Sequence, residues 1–251
     1  MDLGLKDKTI LVTAASRGLG FGVAEALVQE EANVVICGRT EESLREAVSK
    51  LGKRAEYVVA DVSRHDDIKT LISFIENKTP KLDGLFVNAG GPSPGVFSSL
   101  SDKDWEAAFE LTLMSAVRLT RESLHLLKKS ESPSILYNTS ISVKEPIDNL
   151  LLSNAIRPGV IGMMRTLASE IGPEGVRVNA VCPGYIYTAR VEQLIGSDTS
   201  VKESVESSIP LGRMGRPDEF GATCAFLLSP AASYIHGALL LIDGGLYRGM
   251  M

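Results

Sequence analysis

A glycine-rich run near the N-terminus of the sequence suggests nucleotide chemistry. It reads Thr13-Ala14-Ala15-Ser16-Arg17-Gly18-Leu19-Gly20 and lies between an apolar segment and a helical pattern. Gly18 and Gly20 allow a tight turn whose backbone can approach a pyrophosphate, and the following helix offers unpaired N–H groups and a positive dipole end. The run therefore predicts a dinucleotide site, with a plain strand-to-helix turn as the alternative. The residues expected at the cofactor are Thr13, Ser16, Arg17, Gly18, Leu19 and Gly20.

The end of the second apolar run indicates which dinucleotide is bound. This run, Asn33–Cys37, is followed by Gly38-Arg39-Thr40. A cofactor without a ribose 2′-phosphate favours an acidic residue here, whereas an arginine can clamp a phosphate with two hydrogen bonds. Arg39, with Arg17 as a second cation nearby, predicts NADP(H) in preference to NAD(H). The alternative is that both arginines are solvated surface charges.

Strand and helix patterns that would position this site alternate along the chain. The apolar runs are Thr9–Thr13, Asn33–Cys37, Ala55–Val59, Gly84–Asn88, Ser134–Thr139, Arg177–Val181 and Ala238–Ile242. Helical patterns lie near 18–30, 41–51, 65–78, 102–129, 153–172 and 217–228. Strands that are apolar on both faces and alternate with helices predict a parallel sheet covered on both sides. We predict an α/β fold: a Rossmann-type, doubly wound, parallel seven-stranded sheet, with residues 1–251 forming a single domain.

One stretch, 184–216, interrupts this alternation with Gly, Pro, Ser and Asp and only weak periodicity. A long connection inside a compact domain is usually functional, and this one follows the C-terminal end of a strand, where open α/β sheets bind ligands. We interpret it as a substrate-side loop that acts as a lid. A mobile surface excursion is the alternative.

Composition excludes several classes of partner. The 251 residues carry a net charge of −5, which argues against nucleic acid or an anionic membrane surface as a partner. The three cysteines are far apart in the sequence and lie in apolar runs, so we expect buried free thiols and no metal site. Neither a signal-peptide pattern nor an apolar run of about 18 residues is present, which predicts a cytoplasmic protein.

Several motifs in order resemble the short-chain dehydrogenase/reductase family, most closely its 3-oxoacyl-carrier-protein-reductase-like branch. The family's T-G-x-x-x-G-x-G motif is matched at 13–20, with Ala14 in place of the first glycine. The other matching segments are Ala60-Asp61-Val62, Asn88-Ala89-Gly90, Asn179–Gly184, Pro210–Arg213 and Ile242–Gly245. The resemblance covers essentially the whole chain and implies an oxidoreductase that forms a homotetramer or homodimer.

The resemblance also implies further cofactor contacts. It places Asp61 and Val62 at the adenine and Asn88, Ala89 and Gly90 along the middle of the nucleotide. At the nicotinamide and its carboxamide it places Pro183, Gly184, Ile186 and Thr188.

The family's catalytic pattern is altered in this chain. The family uses a Ser, a Tyr thirteen residues later, a Lys four residues after the Tyr, and an Asn on an earlier helix; the matching positions hold Ser140, Ser153, Arg157 and Thr112. An aliphatic hydroxyl is a far weaker acid than a phenol, so Ser153 is a poor proton donor. Arg157 cannot deprotonate, but it can hold ribose hydroxyls or stabilise a developing alkoxide. We also expect Pro158 to start or kink the helix that carries this pair.

Other side chains could replace the missing tyrosine as the proton donor. Tyr185 and Tyr187 follow the Pro-Gly motif beside the expected nicotinamide, so either is a candidate, although both could simply pack the lid. Tyr137 lies in a strand and is expected in the core. The histidines, which are expected to be structural or exposed, are His65, His125 and His236.

Two functions remain open from the sequence. One is an NADP(H)-dependent oxidoreductase acting on a small carbonyl or alcohol, with a rebuilt proton relay and an apolar substrate pocket. The alternative is a catalytically impaired NADP(H)-binding protein with a sensor or scaffold role; a methyltransferase is disfavoured by the Asn-Ala-Gly and Pro-Gly motifs. The surfaces expected in an oligomer are Val160, Met164, Leu167, Ile171 and the Ala238–Ile242 end.

Overall fold

The computed structural model describes residues 1–189, 191–192 and 199–250. Its strands are Thr9–Val12 (β1), Asn33–Gly38 (β2), Ala55–Val59 (β3), Gly84–Val87 (β4), Ser134–Asn138 (β5), Arg177–Pro183 (β6) and Leu239–Ile242 (β7). Its α-helices are Gly18–Gln29 (α1), Glu41–Leu51 (α2), His65–Lys78 (α3), Asp102–Phe109 (α4), Ser115–Leu127 (α5), Leu151–Ile171 (α6), Thr199–Ser208 (α7) and Pro217–Leu228 (α8). All seven predicted strands are therefore present.

The strands form one parallel sheet in the order β3-β2-β1-β4-β5-β6-β7. The order reverses between β1 and β4, which is the point where open α/β sheets bind ligands at the carboxyl ends of their strands. The predicted Rossmann-type, seven-stranded parallel fold is confirmed. None of the helices in the described ranges is long and apolar enough to cross a membrane.

Apolar layers cover both faces of the sheet. One of these layers contains residues that were expected at an oligomer interface. On one face the core includes Val160 (4% exposed), Met164 (0%) and Ile171 (5%) of α6. The prediction that these residues form an oligomer surface is wrong, because the sheet of the same chain already covers them. Periodicity identified a buried face but not its partner. Leu240 on the edge strand β7 is 40% exposed, and the dimer or tetramer itself stays a prediction.

Helix α6 does not start at Pro158, so that part of the expectation is wrong, while the kink stays a prediction. The helix begins at Leu151 and continues through Pro158 to Ile171. A proline removes one helical hydrogen bond and costs about 3 kcal/mol in a helix interior. The turn before it is held independently, because the Asn154 side chain bonds both the N–H and the carbonyl of Ile147. Arg157 therefore lies inside a helix, one turn after Ser153.

The pattern predicted as a single helix over 102–129 is divided. Helix α4 ends at Phe109, a π-helical turn follows over Glu110–Met114, and α5 begins at Ser115. Thr112 lies in the π-helical turn and is 8% exposed. Such single π turns inside α-helices are frequent at functional sites.

Two glycines allow α1 and α8 to cross with their backbones in contact. An ideal Cβ on Gly22 would lie 2.5 Å from the carbonyl oxygen of Pro217. An ideal Cβ on Gly221 would in turn collide with the backbone of Gly22. This crossing joins the helix after the glycine-rich turn to the helix that follows the predicted lid.

The predicted lid, 184–216, includes a helix and a bridge that its composition did not indicate. It contains helix α7, Thr199–Ser208. Parallel bridging between Ile186 and Gly215 closes its base. Residues 190 and 193–198 of this stretch lie outside the described residues.

Candidate active site

The glycine-rich turn connects β1 to α1 at the switch point of the sheet. Gly18 has a φ of 64°, and an ideal Cβ on Gly20 would lie only 2.6 Å from the carbonyl oxygen of Ala14. Arg17 is the N-cap residue of α1, and because a guanidinium only donates hydrogen bonds its side chain cannot cap the N–H groups of the helix. The first N–H groups of α1 therefore remain available to a ligand, and the turn fits the pyrophosphate of a dinucleotide.

Ala14, which stands where the family has glycine, keeps a glycine-like backbone. Its φ is 48°, in the left-handed region that L-residues with a side chain rarely adopt. Its carbonyl oxygen accepts a hydrogen bond from Asn88 Nδ2 at 3.2 Å. The substitution therefore leaves the path of the turn intact at a cost in backbone strain.

Thr13 and Asn88 tie the carboxyl ends of β1 and β4 together. Thr13 Oγ1 donates to the Asn88 carbonyl at 2.7 Å and accepts from the Asn88 N–H at 2.8 Å. Asn88 Nδ2 also donates to the Thr13 carbonyl at 3.1 Å. Their side chains hold the two halves of the sheet at the fixed spacing that a cofactor bridging the switch point requires; their own contact with a cofactor stays a prediction.

Arg17 and Arg39, the two cations predicted to bind a phosphate, each follow a residue that lies close to the other segment. Ala15 N donates to the Cys37 carbonyl at 3.0 Å, and the Ser16 side-chain oxygen is 3.6 Å from an ideal Cβ on Gly38. Arg17 and Arg39 are the next residues along each segment. Both are exposed, and neither forms an ion pair within the described ranges. Both side chains are therefore exposed cations, and their contact with a 2′-phosphate stays a prediction.

Asp61 and Val62 follow β3, on the side of the sheet where the adenine is expected. Asp61 Oδ1 accepts from the backbone N–H of Ser63 at 2.9 Å and from its hydroxyl at 2.7 Å. Val62 is 5% exposed. These contacts fix the turn after β3, and the adenine contact itself stays a prediction.

The segment after β6 lies against the glycine-rich turn. Gly184 N donates to the Ile242 carbonyl at 3.0 Å, and Ile186 is 4% exposed. The Thr188 methyl carbon lies 3.8 Å from an ideal Cβ on Gly18. Thr188 therefore lies beside the turn, and the nicotinamide contacts predicted for Pro183, Gly184, Ile186 and Thr188 stay predictions.

Ser153 and Arg157 form a hydrogen-bonded pair inside the site. Arg157 Nε donates to Ser153 Oγ at 3.0 Å, and one terminal guanidinium nitrogen donates to the Thr139 carbonyl at 2.9 Å. Ser153 is 5% exposed. The pair predicted from spacing is therefore brought together, with the guanidinium oriented by the end of β5.

The structure adds Ser142, which the sequence prediction missed. Ser142 Oγ lies 3.0 Å from Ser153 Oγ, whereas the hydroxyl of the predicted Ser140 accepts the Ser142 N–H at 3.1 Å. Ser140 therefore shapes the 3₁₀ turn Ile141–Val143, and Ser142 extends the chain of hydroxyls. The only available sequence signal was a second serine two residues after the family position.

A small cavity beside Arg157 is lined by Ala89, Gly90, Thr112 and Asn138, among others. Its volume of about 20 Å³ admits one water-sized group. Asn88 Nδ2 donates to two carbonyls, so its oxygen accepts from Asn138 Nδ2 at 2.8 Å. This leaves Asn138 Oδ1 as an acceptor which, like Thr112 Oγ1, is buried without a hydrogen-bond partner among the described residues. These atoms favour a hydroxyl or a water beside the guanidinium.

The surroundings of three other tyrosines bear on whether each could donate a proton. Tyr187 is 44% exposed and its hydroxyl donates to Glu192 at 3.2 Å, so it belongs to the lid surface. Tyr137 is fully buried and 2.6 Å from the Thr120 hydroxyl; burial raises its pKa well above the ordinary value, which suits a core residue. Tyr185 is half-buried and stays a candidate.

The histidines lie away from this cluster, as predicted. His65 and His125 contact Glu122 and Glu76 at 2.9 and 2.6 Å. His236 accepts the Val178 N–H on one ring nitrogen and contacts a backbone carbonyl with the other. All three cysteines are buried and free, and burial raises the pKa of Cys37 to about 12. In the ranges that the structure covers, no group of three His, Cys, Asp or Glu residues could hold a metal.

A parallel sheet with a phosphate-binding turn at its switch point defines a nucleotide-dependent α/β enzyme class. Residues 13–247 match the family model described as enoyl-(acyl carrier protein) reductase. Nodulation protein G of Rhizobium sp. (strain N33) is 33% identical over 242 residues, covering 96% of this chain and 98% of the relative. The 3-oxoacyl-[acyl-carrier-protein] reductase of Thermotoga maritima is 32% identical over 246 residues, covering 96% and 98%. The chain belongs to the short-chain dehydrogenase/reductase family, in its 3-oxoacyl-carrier-protein-reductase-like branch.

Solved structures agree with this assignment. L-Sorbose reductase from Gluconobacter frateurii, complexed with NADPH and L-sorbose, matches with a TM-score of 0.94 and 27% identity over 100% of both chains. An NADPH-bound short chain oxidoreductase from Pseudomonas aeruginosa PAO1, described as containing an atypical catalytic center, matches with a TM-score of 0.90 and 28% identity over 97% and 99% of the chains. The family and these neighbours support a nicotinamide cofactor.

Proposed function

We propose that this protein is an NADP(H)-dependent oxidoreductase that acts on a small carbonyl or alcohol through a proton relay rebuilt around Ser142, Ser153 and Arg157. The observation that carries the proposal is the chain of two hydroxyls and one guanidinium inside the site, with both O···O and N···O distances at 3.0 Å. The two exposed arginines, Arg17 in the glycine-rich turn and Arg39 after β2, support NADP(H).

The roles of the side chains follow from their hydrogen bonds. When bound, the nicotinamide supplies or accepts the hydride. Arg157 donates to Ser153 Oγ, so the Ser153 proton points to Ser142 or to a substrate oxygen. The permanent charge of Arg157 stabilises negative charge that develops on that oxygen. Proton delivery then runs along the hydroxyls: Ser153 protonates the alkoxide as it takes a proton from Ser142, and water returns a proton to Ser142, so both hydroxyls stay neutral.

Two neighbours support this assignment. The sorbose reductase was solved with NADPH and a sugar ketone, and the Pseudomonas oxidoreductase binds NADPH with a catalytic centre described as atypical. A short chain oxidoreductase described as having an atypical catalytic center is thus able to bind NADPH.

A second candidate, an NADP(H)-binding protein without redox turnover, is favoured by one observation. The Arg157 guanidinium already bonds the Thr139 carbonyl and the Ser153 hydroxyl. A cation held in this way also fits a purely structural role. The sensor or scaffold alternative therefore rests on the same residues.

Turnover separates the two candidates. NADPH absorbance is followed with a panel of ketones, aldehydes and oxo acids, using wild type, Arg157→Met and the exposed control Arg121→Met. We expect oxidation of NADPH with at least one compound and a loss of about 10²-fold in Arg157→Met only. Tight NADPH binding with no reduction of any compound would support the non-catalytic candidate instead.

A further inference from the structure

Lys144 is a half-buried cation at the edge of the site. It follows the 3₁₀ turn that carries Ser142, and its backbone N–H donates to the Ile141 carbonyl at 2.8 Å. Its ammonium nitrogen lies 5.8 Å from the centre of the Tyr247 ring. Within the described ranges it forms no ion pair with a carboxylate.

The aromatic partner of Lys144 is fixed beside the predicted nicotinamide region. Asp243 accepts the N–H of Gly245 on one oxygen and that of Tyr247 on the other, each at 2.9 Å. An ideal Cβ on Gly184 would lie 2.8 Å from the Asp243 side chain. The Asp243 carboxylate thus binds two backbone N–H groups of its own turn. That turn carries Tyr247 and contacts the loop after β6 at Gly184.

Lys144 and Arg157 create a positive region at the carboxyl end of β6. Burial raises the pKa of Cys182, and the two charges that oppose this effect are Lys144 and Arg157. Cys182 Sγ lies 3.0 Å from Thr139 Oγ1, and the Thr139 carbonyl accepts from Arg157. Both charges therefore act on the Cys182 thiol, at the carboxyl end of β6.

A half-buried ammonium is more stable when an anion replaces part of its lost hydration. A ring that faces the ammonium restricts its position but carries no net charge. Lys144 directly follows the 3₁₀ turn Ile141–Val143, two residues after Ser142. A carboxylate a few bonds from a carbonyl would reach Lys144 while the carbonyl lies beside the hydroxyls.

We propose that Lys144, positioned by Tyr247, is the subsite for the carboxylate of an oxo-acid substrate. This inference rests on the proposed function, because it places the substrate carbonyl at Ser142 and Ser153. The Arg157 guanidinium bonds Ser153 and the Thr139 carbonyl, so Lys144 is the cation offered to the ligand anion, and one cation matches a monoanionic carboxylate better than a phosphate dianion. Lys144 determines specificity and takes no part in proton transfer.

The test compares acetoacetate with methyl acetoacetate, which has the same carbonyl and no charge. Calorimetry measures their binding to the protein saturated with NADP⁺, for wild type, Lys144→Met, Lys144→Arg and the exposed control Lys53→Met. We expect wild type, Lys144→Arg and Lys53→Met to prefer the acid by about tenfold, and Lys144→Met to bind both compounds equally. Thermal denaturation establishes that each variant is folded.

The outcomes separate this inference from the proposed function. Equal binding of acid and ester by wild type, retained preference in Lys144→Met, or no saturable binding of acetoacetate would each overturn the subsite. A preference for the acid that depends on Lys144, without NADPH oxidation by any carbonyl compound, would leave the subsite standing and overturn the oxidoreductase.

Discussion

The cofactor half and the catalytic half of the cleft depart from the family in different ways. In the cofactor half the departure is Ala14, and the backbone there still follows a left-handed path at φ 48°. In the catalytic half Ser153 and Arg157 replace a phenol and an amine, and their hydrogen bonds run to Ser142 and Thr139. A site built by backbone keeps its geometry when a side chain changes, whereas a site built by side chains changes its chemistry.

The largest expected effect comes from returning the family residues to the catalytic half. Ser153→Tyr with Arg157→Lys supplies an ionisable phenol with an ammonium nearby, and general acid catalysis of this kind gives about 10²–10⁴-fold. Ser153 is buried beside Ser142, so the new tyrosine ring requires local repacking. We therefore expect the lower end of this range, a rise of about 10²-fold in kcat/KM for a ketone that the protein reduces.

The pH profile of the same variants sharpens this result. Wild-type kcat should be nearly flat between about pH 6 and 9, because neither a serine hydroxyl nor arginine titrates there. The double variant should acquire a titration from its phenol. A folded double variant that binds NADPH and reduces nothing would show that the two halves do not share one geometry.

The second effect concerns the backbone of the cofactor half. Gly20→Ala places a Cβ 2.6 Å from the Ala14 carbonyl oxygen and must displace the turn. Overpacking of about 1–3 kcal/mol should weaken NADPH binding by roughly 10–100-fold. The matched control is Gly162→Ala in α6, where a Cβ meets nothing within 4 Å. Titration of NADPH by fluorescence measures both, and unchanged affinity in Gly20→Ala would rule out a close cofactor approach there.

The third effect tests which nucleotide this half selects. Arg39→Asp removes a phosphate clamp and introduces an acidic group suited to ribose hydroxyls. We expect the preference for NADPH over NADH to fall about tenfold or more, while the exposed control Arg121→Asp retains it. Equal affinities for both cofactors in wild type would contradict the NADP(H) assignment.

The smallest effect measures the strain that the cofactor half tolerates. Ala14→Gly relieves a left-handed alanine, and the gain of about 1 kcal/mol after the entropy of the unfolded glycine should raise Tm by about 2–4 °C. Ala26→Gly, inside α1, should lower Tm because glycine destabilises a helix interior. A lower Tm in Ala14→Gly would mean that the turn is not strained.

Much of the fold follows from periodicity in the sequence. The predicted helices at 41–51, 65–78 and 217–228 have the bounds that the structure gives, because apolar residues recur in each at helical spacing and a polar or Gly/Pro segment flanks it. The spacing of Ser153 and Arg157 likewise predicted a pair on one helical face, four residues apart.

The errors come from information that a local pattern does not contain. The π-helical turn at Glu110–Met114 inserts one residue per turn without changing the apolar composition. Pro158 indicated a helix boundary, but Leu152 and Ile156 are buried on the preceding turns and hold them helical. Ser142 enters the site only because the turn after β5 folds back onto α6.

Because α1 and α8 cross at Gly22 and Gly221, substitutions at these two glycines should not change the free energy of unfolding independently. A Cβ on either glycine has to separate the same two backbones, since each glycine faces the other helix. Once the helices have moved apart, a second methyl group adds little further penalty, so the two substitutions are non-additive. Separation would also move the start of α8, at the end of the lid, relative to the phosphate-binding turn. Backbone contact at the two glycines thus links the position of the lid's C-terminal end to the position of the glycine-rich turn.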